Sequence, residues 1–233
     1  MTKGFLFDYG GTLDSGGCHW GKVLWHAYQR CSVPVDEADF RKAYVYGERT
    51  LGSNRIIEPH FTFRRTLEEK IRLQTEWLCN EGLLPYPDAF RESILNDVYG
   101  ITVETTRKSV EVLKKIASRY PIVLVSNFYG NVSTVLSEFG FTGLFQDIVE
   151  SAVVGIRKPD HRIFLLGVER LGMKPNEVTV VGDSYDKDIL PAHEAGCRTV
   201  WLKGEGWTDD EPEEVVADAT IFNLGDVLEL IDK

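Results

Sequence analysis

Five short apolar runs punctuate this chain, and each gives way to glycine or polar residues. They are Phe5-Leu6-Phe7, Ile122 to Val125, Ile148-Val149, Val178 to Val181 and Thr199 to Leu202. Runs of this length without polar alternation read as strands covered on both faces, the usual state of strands in a parallel sheet. Helical stripes lie between the later runs. Val132, Val135, Leu136 and Phe139 form one, closed by Gly140, and Ile163, Phe164, Val168 and Leu171 form another, closed by Gly172. A third stretch opens after Asp183 and closes at Gly196. Parallel strands need long crossovers, so this alternation from residue 103 onward predicts an α/β fold, a three-layer doubly wound parallel sheet.

The region from Gly17 to Tyr99 breaks the pattern, with four helical stripes and no strand. Val23, Leu24, Ala27, Tyr28 and Cys31 share one face, and Asp36 is placed to N-cap the helix carrying Phe40 and Tyr44. Phe63, Leu67, Ile71 and Leu78 make the third stripe, ended by Gly82, while Phe90, Ile94 and Val98 make the fourth. So many apolar faces predict an inserted helical bundle. The expected division is a core of residues 1–16 and 100–233 and a helical domain of residues 17–99, hinged at Ser15-Gly16-Gly17 and at Gly100. The acidic run Asp209 to Glu214 reads as a solvated loop.

Composition narrows the partners. A formal charge of −10 leaves no basic excess to displace counterions, which argues against a nucleic-acid partner. Cys18, Cys31, Cys79 and Cys197 are scattered with no C-x-x-C pair, as expected of reduced thiols in a cytoplasmic protein. The N-terminal apolar run stops at Asp8, too short for a signal peptide, and no segment is long enough to span a membrane. The expectation is a soluble monomer or homodimer acting on a small molecule.

Chemistry-bearing residues gather where strands end, the place at which open α/β sheets bind ligands. The first cluster is Asp8-Tyr9-Gly10-Gly11-Thr12-Leu13-Asp14, a carboxylate followed by glycines whose N–H groups can close around an anion. Ser126-Asn127 ends the second run and offers a hydroxyl and an amide. Lys158, in Gly155-Ile156-Arg157-Lys158-Pro159-Asp160, can neutralise phosphate charge, and Asp160 can cap the following helix. Asp183, Asp186 and Asp188 follow the fourth run within one turn, a hard-oxygen set suited to a divalent cation. Singly, each cluster is also what a turn or helix cap would use; their shared placement after buried strands is what points to one phosphate-handling site.

In that order the four clusters resemble the motifs of the haloacid dehalogenase-like superfamily, over the whole sequence. Asp8 to Leu13 is similar to the first motif, Val125-Ser126-Asn127 to the second, Lys158-Pro159 to the third, and Gly182-Asp183 through Asp188 to the fourth. The insertion resembles the family's helical cap of the first class. The resemblance implies a Rossmannoid core and a hydrolase in which Asp8 is the nucleophile and Lys158 a catalytic partner. It implies Gly11, Thr12, Ser126, Asn127 and Lys158 around the phosphoryl group of a small phosphorylated metabolite. It also implies Mg²⁺ held by Asp8, the Gly10 carbonyl and Asp183, with Asp188 supporting that site from behind.

Gly10 departs from the family pattern, because phosphatases usually carry a second Asp there as the proton shuttle. Such a group contributes about 10²–10⁴-fold. Its loss predicts a preference for good leaving groups such as acyl phosphates. Asp14, His19 or Tyr9 could stand in, though none has a spacing that commends it. Two further readings stay open. One is a phosphonatase- or dehalogenase-type enzyme cleaving a C–P or C–halogen bond, with Lys22, Lys42 or Lys70 as an imine-forming lysine in the first case. The other is a low-turnover binding protein.

Overall fold

All five runs are strands in the computed structural model, which describes residues 1–208, 210 and 212–231. They are β1 (Gly4–Phe7), β2 (Ile122–Ser126), β3 (Asp147–Glu150), β4 (Val178–Gly182) and β5 (Arg198–Leu202). A sixth strand, β6 (Ala219–Ile221), completes a parallel sheet of order β3-β2-β1-β4-β5-β6. Only three residues long and at the sheet edge, β6 lacks the apolar run that marks the others. The chain winds outward from β1 to β3 and then returns to β4 on the other side of β1. That reversal opens a crevice at the carboxyl ends of β1 and β4, whose register pairs Phe7 with Val181.

Alternation along each strand builds the layers. Phe5 and Phe7 face one core, with Leu113 and Ile116. Leu6 faces the other, with Val123, Val125, Ile163, Phe164 and Val168. The first core lies under α4 (Asp88–Ala117), α5 (Val132–Glu138) and α9 (Val227–Ile231), and the second under α7 (Arg162–Leu171). The short α6 (Ser151–Val154) and α8 (Leu190–Glu194) add Val154 and Ala192 to the second core. The sheet is therefore doubly wound.

The insertion forms α1 (Trp20–Arg30), α2 (Glu37–Ser53), α3 (Phe63–Asn80) and the first half of α4. Asp36 caps α2 by accepting from the Asp39 N–H at 2.8 Å. Asp160 accepts from the Arg162 N–H at the start of α7. At Gly100 the expected hinge is not a break, because α4 continues through it for 30 residues. A helical glycine costs about 1 kcal/mol relative to alanine. Burial of Ile94 and Val98 before it and of Val110, Leu113 and Ile116 after it outweighs that cost. The helices of the insertion and one face of the sheet share a continuous apolar cluster, in which Leu24, Tyr28 and Ile71 join Phe5 and Phe7. The cysteines are unpaired. Among the described residues no helix is long and apolar enough to cross a membrane. Within the acidic run, Asp209 and Glu211 lie outside the described residues.

Candidate active site

Strand β1 delivers Asp8 into the crevice, where its backbone N–H donates to Val181 O at 3.0 Å and fixes the turn to β4. The carboxylate is 6% exposed and held from two sides. Its Oδ1 accepts from Lys158 Nζ at 2.6 Å and from Ser126 Oγ at 3.1 Å. The Thr12 hydroxyl lies 3.3 Å from Oδ2 and 3.0 Å from Asp183 Oδ1, tying the first loop to the fourth. Lys158 Nζ also donates to Asp188 Oδ1 at 2.6 Å, and Asp188 Oδ2 accepts from the Ser184 N–H at 3.0 Å. Asn127 reaches back: its amide donates to Lys158 O at 3.1 Å and accepts from Lys158 N at 3.0 Å. Both ends of that amide thus hold the Lys158 main chain.

Two glycines make this density possible. Gly11 has a φ of +102°, and a Cβ there would stand 2.3 Å from Asp183 Oδ1. A Cβ at Gly182 would stand 2.4 Å from that of Asp188. After β4 the chain makes a single π-helical turn, Tyr185–Ile189, which turns Asp188 inward and leaves Asp186 exposed.

Carboxylate oxygens of Asp8, Asp183 and Asp188 lie within 4.8 Å of one another. Burial raises the Asp8 pKa above the ordinary range, opposed by Lys158 and reinforced by Asp188. Burial also lifts Asp183 well above that range, with Asp188 and Asp8 adding to it. Burial alone would lower Lys158, but Asp188 and Asp8 outweigh it and keep the ammonium charged. Three carboxylates facing one ammonium leave two uncompensated negative charges when all are ionised. The chemistry of this donor set therefore fits a divalent cation that prefers oxygen.

A cavity of about 950 Å³ opens over Asp8, walled by Gly10, Asp14, Lys158 and Asp183 from the core and by Trp20, Tyr44, Glu48, Phe63 and Lys70 from the insertion. Of the three lysines singled out in the insertion, Lys22 pairs with Glu37 at 3.3 Å and Lys42 with Asp39 at 2.8 Å. Lys70 does line the cavity, but Glu48 lies 2.7 Å from it. Burial would lower the Lys70 pKa; Glu48 more than reverses this, so the amine is held as the ammonium, the wrong form for imine chemistry. Tyr129 donates to the same carboxylate at 2.8 Å. No spacing in the sequence announces this trio, which forms only when α2, α3 and the loop after β2 converge.

The groups considered as replacements for the missing acid are separated by the fold. Tyr9 is fully buried between Phe128 and Phe141, at ring distances of 5.7 and 6.2 Å, and does not line the cavity. His19 lines it, but burial lowers its pKa to about 4, and its Nδ1 accepts from the Gly21 N–H at the start of α1. Asp14 lines the cavity beside Gly10.

Comparison with known proteins agrees with this geometry. The family model for haloacid dehalogenase-like hydrolases matches residues 2–196. A glyceraldehyde 3-phosphate phosphatase of Methanopyrus kandleri is 37% identical over 97 residues, 42% of this chain and 41% of that protein. The match therefore spans less than half of that relative's length. The glyceraldehyde 3-phosphate phosphatase of Pyrococcus furiosus is 31% identical over 205 residues, covering 88% of this chain and 81% of that protein. Among solved structures, a dehalogenase with an intermediate complex superposes on 100% of this chain and 98% of its own, with a TM-score of 0.68 at 16% identity, a likeness of fold. The chain belongs to the haloacid dehalogenase-like hydrolases.

Proposed function

We propose that the protein is a Mg²⁺-dependent phosphatase of a small phosphorylated metabolite, working through an aspartyl-phosphate on Asp8. The observation that carries this reading is the Asp8 carboxylate itself, gripped by Lys158 and Ser126 on the wall of a cavity. An Asp8 oxygen attacks phosphorus, the bond from phosphorus to the leaving oxygen breaks, and the electron pair departs with that oxygen. Lys158 Nζ and Ser126 Oγ, already on Asp8, are within reach of the phosphoryl oxygens on which charge develops. Asp188 keeps Lys158 charged and aimed. Water then attacks the phosphorus of the acyl-phosphate and releases Asp8. Mg²⁺ held by Asp8, the Gly10 carbonyl and Asp183 would offset the repulsion between the carboxylates and an anionic substrate.

Residues 17–99 act as a cap over the crevice, supplying the cavity wall opposite Asp8 and excluding bulk water. The relatives' names support a phosphorylated metabolite of a few carbons, and the cavity has room for one. The test combines mass spectrometry of Asp8 after brief exposure to acetyl phosphate and Mg²⁺ with a screen of phosphorylated metabolites with and without the metal. Phosphorylation of Asp8, lost in Asp8→Asn together with turnover, is the expected result. Full turnover in Asp8→Asn overturns the covalent route. Metal-independent halide release would identify a dehalogenase and borohydride trapping of Lys70 a phosphonatase. Phosphate binding without an acyl-phosphate would identify a binding protein.

A further inference from the structure

The indole that faces Gly10 carries a carboxyl group from elsewhere in the same loop. A Cβ built on Gly10 would point at the Trp20 indole, 3.8 Å from its Nε1 and in ordinary contact with it. That Nε1–H is already engaged, 3.2 and 3.1 Å from the two carboxylate oxygens of Asp14. The Gly11 N–H donates to Asp14 Oδ1 at 2.8 Å. A carboxylate grown from position 10 would thus seek the indole donor that Asp14 has taken. Asp14 is 1% exposed, yet it lines the cavity that contains Asp8. Trp20 opens the first helix of the insertion, so the contact also ties the cap to this carboxyl.

We propose that Asp14, held by Trp20 and Gly11 on the wall of the cavity that Asp8 and Gly10 also line, is the proton shuttle of the reaction. This rests on the reading of Asp8 as a phosphorylated nucleophile. In the first step the Asp14 carboxylic acid gives its proton to the leaving oxygen as the bond from phosphorus to that oxygen breaks, so the leaving group departs as a neutral alcohol. In the second step the Asp14 carboxylate takes a proton from the water whose oxygen attacks the phosphorus of the acyl-phosphate. The bond to Asp8 breaks, Asp8 leaves as a carboxylate, phosphate is released, and Asp14 is again an acid. Two features of its surroundings fit the task. Burial pushes the Asp14 carboxyl up to about 8, the Gly11 N–H opposing this and Asp8 reinforcing it, so the acid form is present at neutral pH. Trp20 and Gly11 fix the carboxyl by hydrogen bonds to its oxygens, and the charged groups that bear on it are Asp8 and Lys70, from opposite walls of the cavity.

The experiment is a leaving-group series, from acetyl phosphate through aryl to alkyl phosphates, run on the wild type, Asp14→Asn and the double variant Gly10→Asp/Asp14→Asn. An acyl or aryl leaving group needs little protonation, whereas an alkoxide needs a full proton. Asp14→Asn should lose about 10²–10⁴-fold on alkyl phosphates, lose far less in the first step with acetyl phosphate, and accumulate phosphorylated Asp8. Restoring a carboxyl from position 10 should recover alkyl-phosphate turnover; Gly10 has no positive φ and its Cβ meets nothing closer than 3.8 Å, so the change fits the loop. A carboxyl that only pinned the Gly11 turn would slow every substrate by the same factor, and that result, or no loss at all, overturns the proposal. Should Asp14→Asn fold poorly, the wild type alone decides, because a steep fall in rate from aryl to alkyl phosphates means that no acid is present. Absence of Asp8 phosphorylation in the wild type would overturn the covalent reading and this proposal together. Intact phosphorylation with uniform losses would overturn this proposal alone.

Discussion

Replacing Asp183 with Asn tests whether the three carboxylates form a cation site and are more than a structural cluster. The substitution keeps the shape and an oxygen to accept the Thr12 hydroxyl, now 3.0 Å from Oδ1, and leaves the backbone contact from Trp201 untouched. It removes one negative charge from a group of three lying within 4.8 Å. Burial, then Asp188 and Asp8, raise the Asp183 pKa in the folded chain well above its unfolded value. The folded state therefore binds the Asp183 proton more tightly. Its contribution to stability is fully present below the unfolded pKa and is lost as pH rises through the folded pKa. Without metal, the wild type should lose stability across that window, and Asp183→Asn should lose less, leaving it at least as stable at neutral pH. Metal reverses the order. A cation that binds only the folded state stabilises it by about 2.7 kcal/mol at a hundredfold excess over its Kd, roughly 5–10 °C in Tm for a chain of this size. The wild type should show this shift with Mg²⁺ and the variant little of it. Thermal unfolding at pH 5 and pH 8, with and without Mg²⁺, reads all four states. An equal Mg²⁺ shift in the variant, or a metal-free variant destabilised at pH 8, would refute the assignment.

Two other perturbations probe the same architecture. Lys158→Met leaves Asp8 and Asp188 buried without the cation that lies 2.6 Å from each, and should cost about 3–5 kcal/mol at neutral pH in a denaturant melt, less as the pH is lowered; an unchanged midpoint would show that the carboxylates do not depend on it. Trp207, from the loop after β5, packs on Gly21 of α1, stacks on His19 at 5.2 Å and lies 4.2 Å beneath the Arg41 guanidinium, so it latches the insertion to the core. Trp207→Ala should expand the molecule in solution scattering and raise KM while Asp8 phosphorylation persists, and an unchanged profile would mean that the latch is idle.

The strands were legible because burial on both faces leaves an apolar run, and the core site was legible because Asp8, Ser126 and Asp183 lie at or just beyond strand ends. Those positions are set by chain order alone. The strand β6 escaped because it is only three residues long and its central Thr220 is exposed, so no apolar run marks it. Gly100 misled because helix propensity is a weak local preference, and the burial of Ile94 and Val110 on either side of it is tertiary. The cavity wall was illegible for the same reason: Glu48 and Lys70 are 2.7 Å apart in space but lie on different helices, and nothing in their spacing says which faces meet.

Gly10 shows how far that limit reaches. Read as a sequence, the position is a loss, since the family's second carboxylate is missing and no neighbour has a defensible spacing. The fold supplies what the spacing cannot. The backbone must curl tightly at Gly11, whose φ is +102°, to let Asp183 approach, and the same curl turns the Gly11 N–H toward Asp14. Leu13 N and Asp14 N both donate to Tyr9 O, at 2.8 and 3.3 Å, which closes the loop and brings Asp14 back beside Gly10. Trp20, from the insertion, then holds the carboxyl. The backbone feature that lets Asp183 approach thus also places a second carboxyl on the wall of the cavity, tied to the indole that faces Gly10.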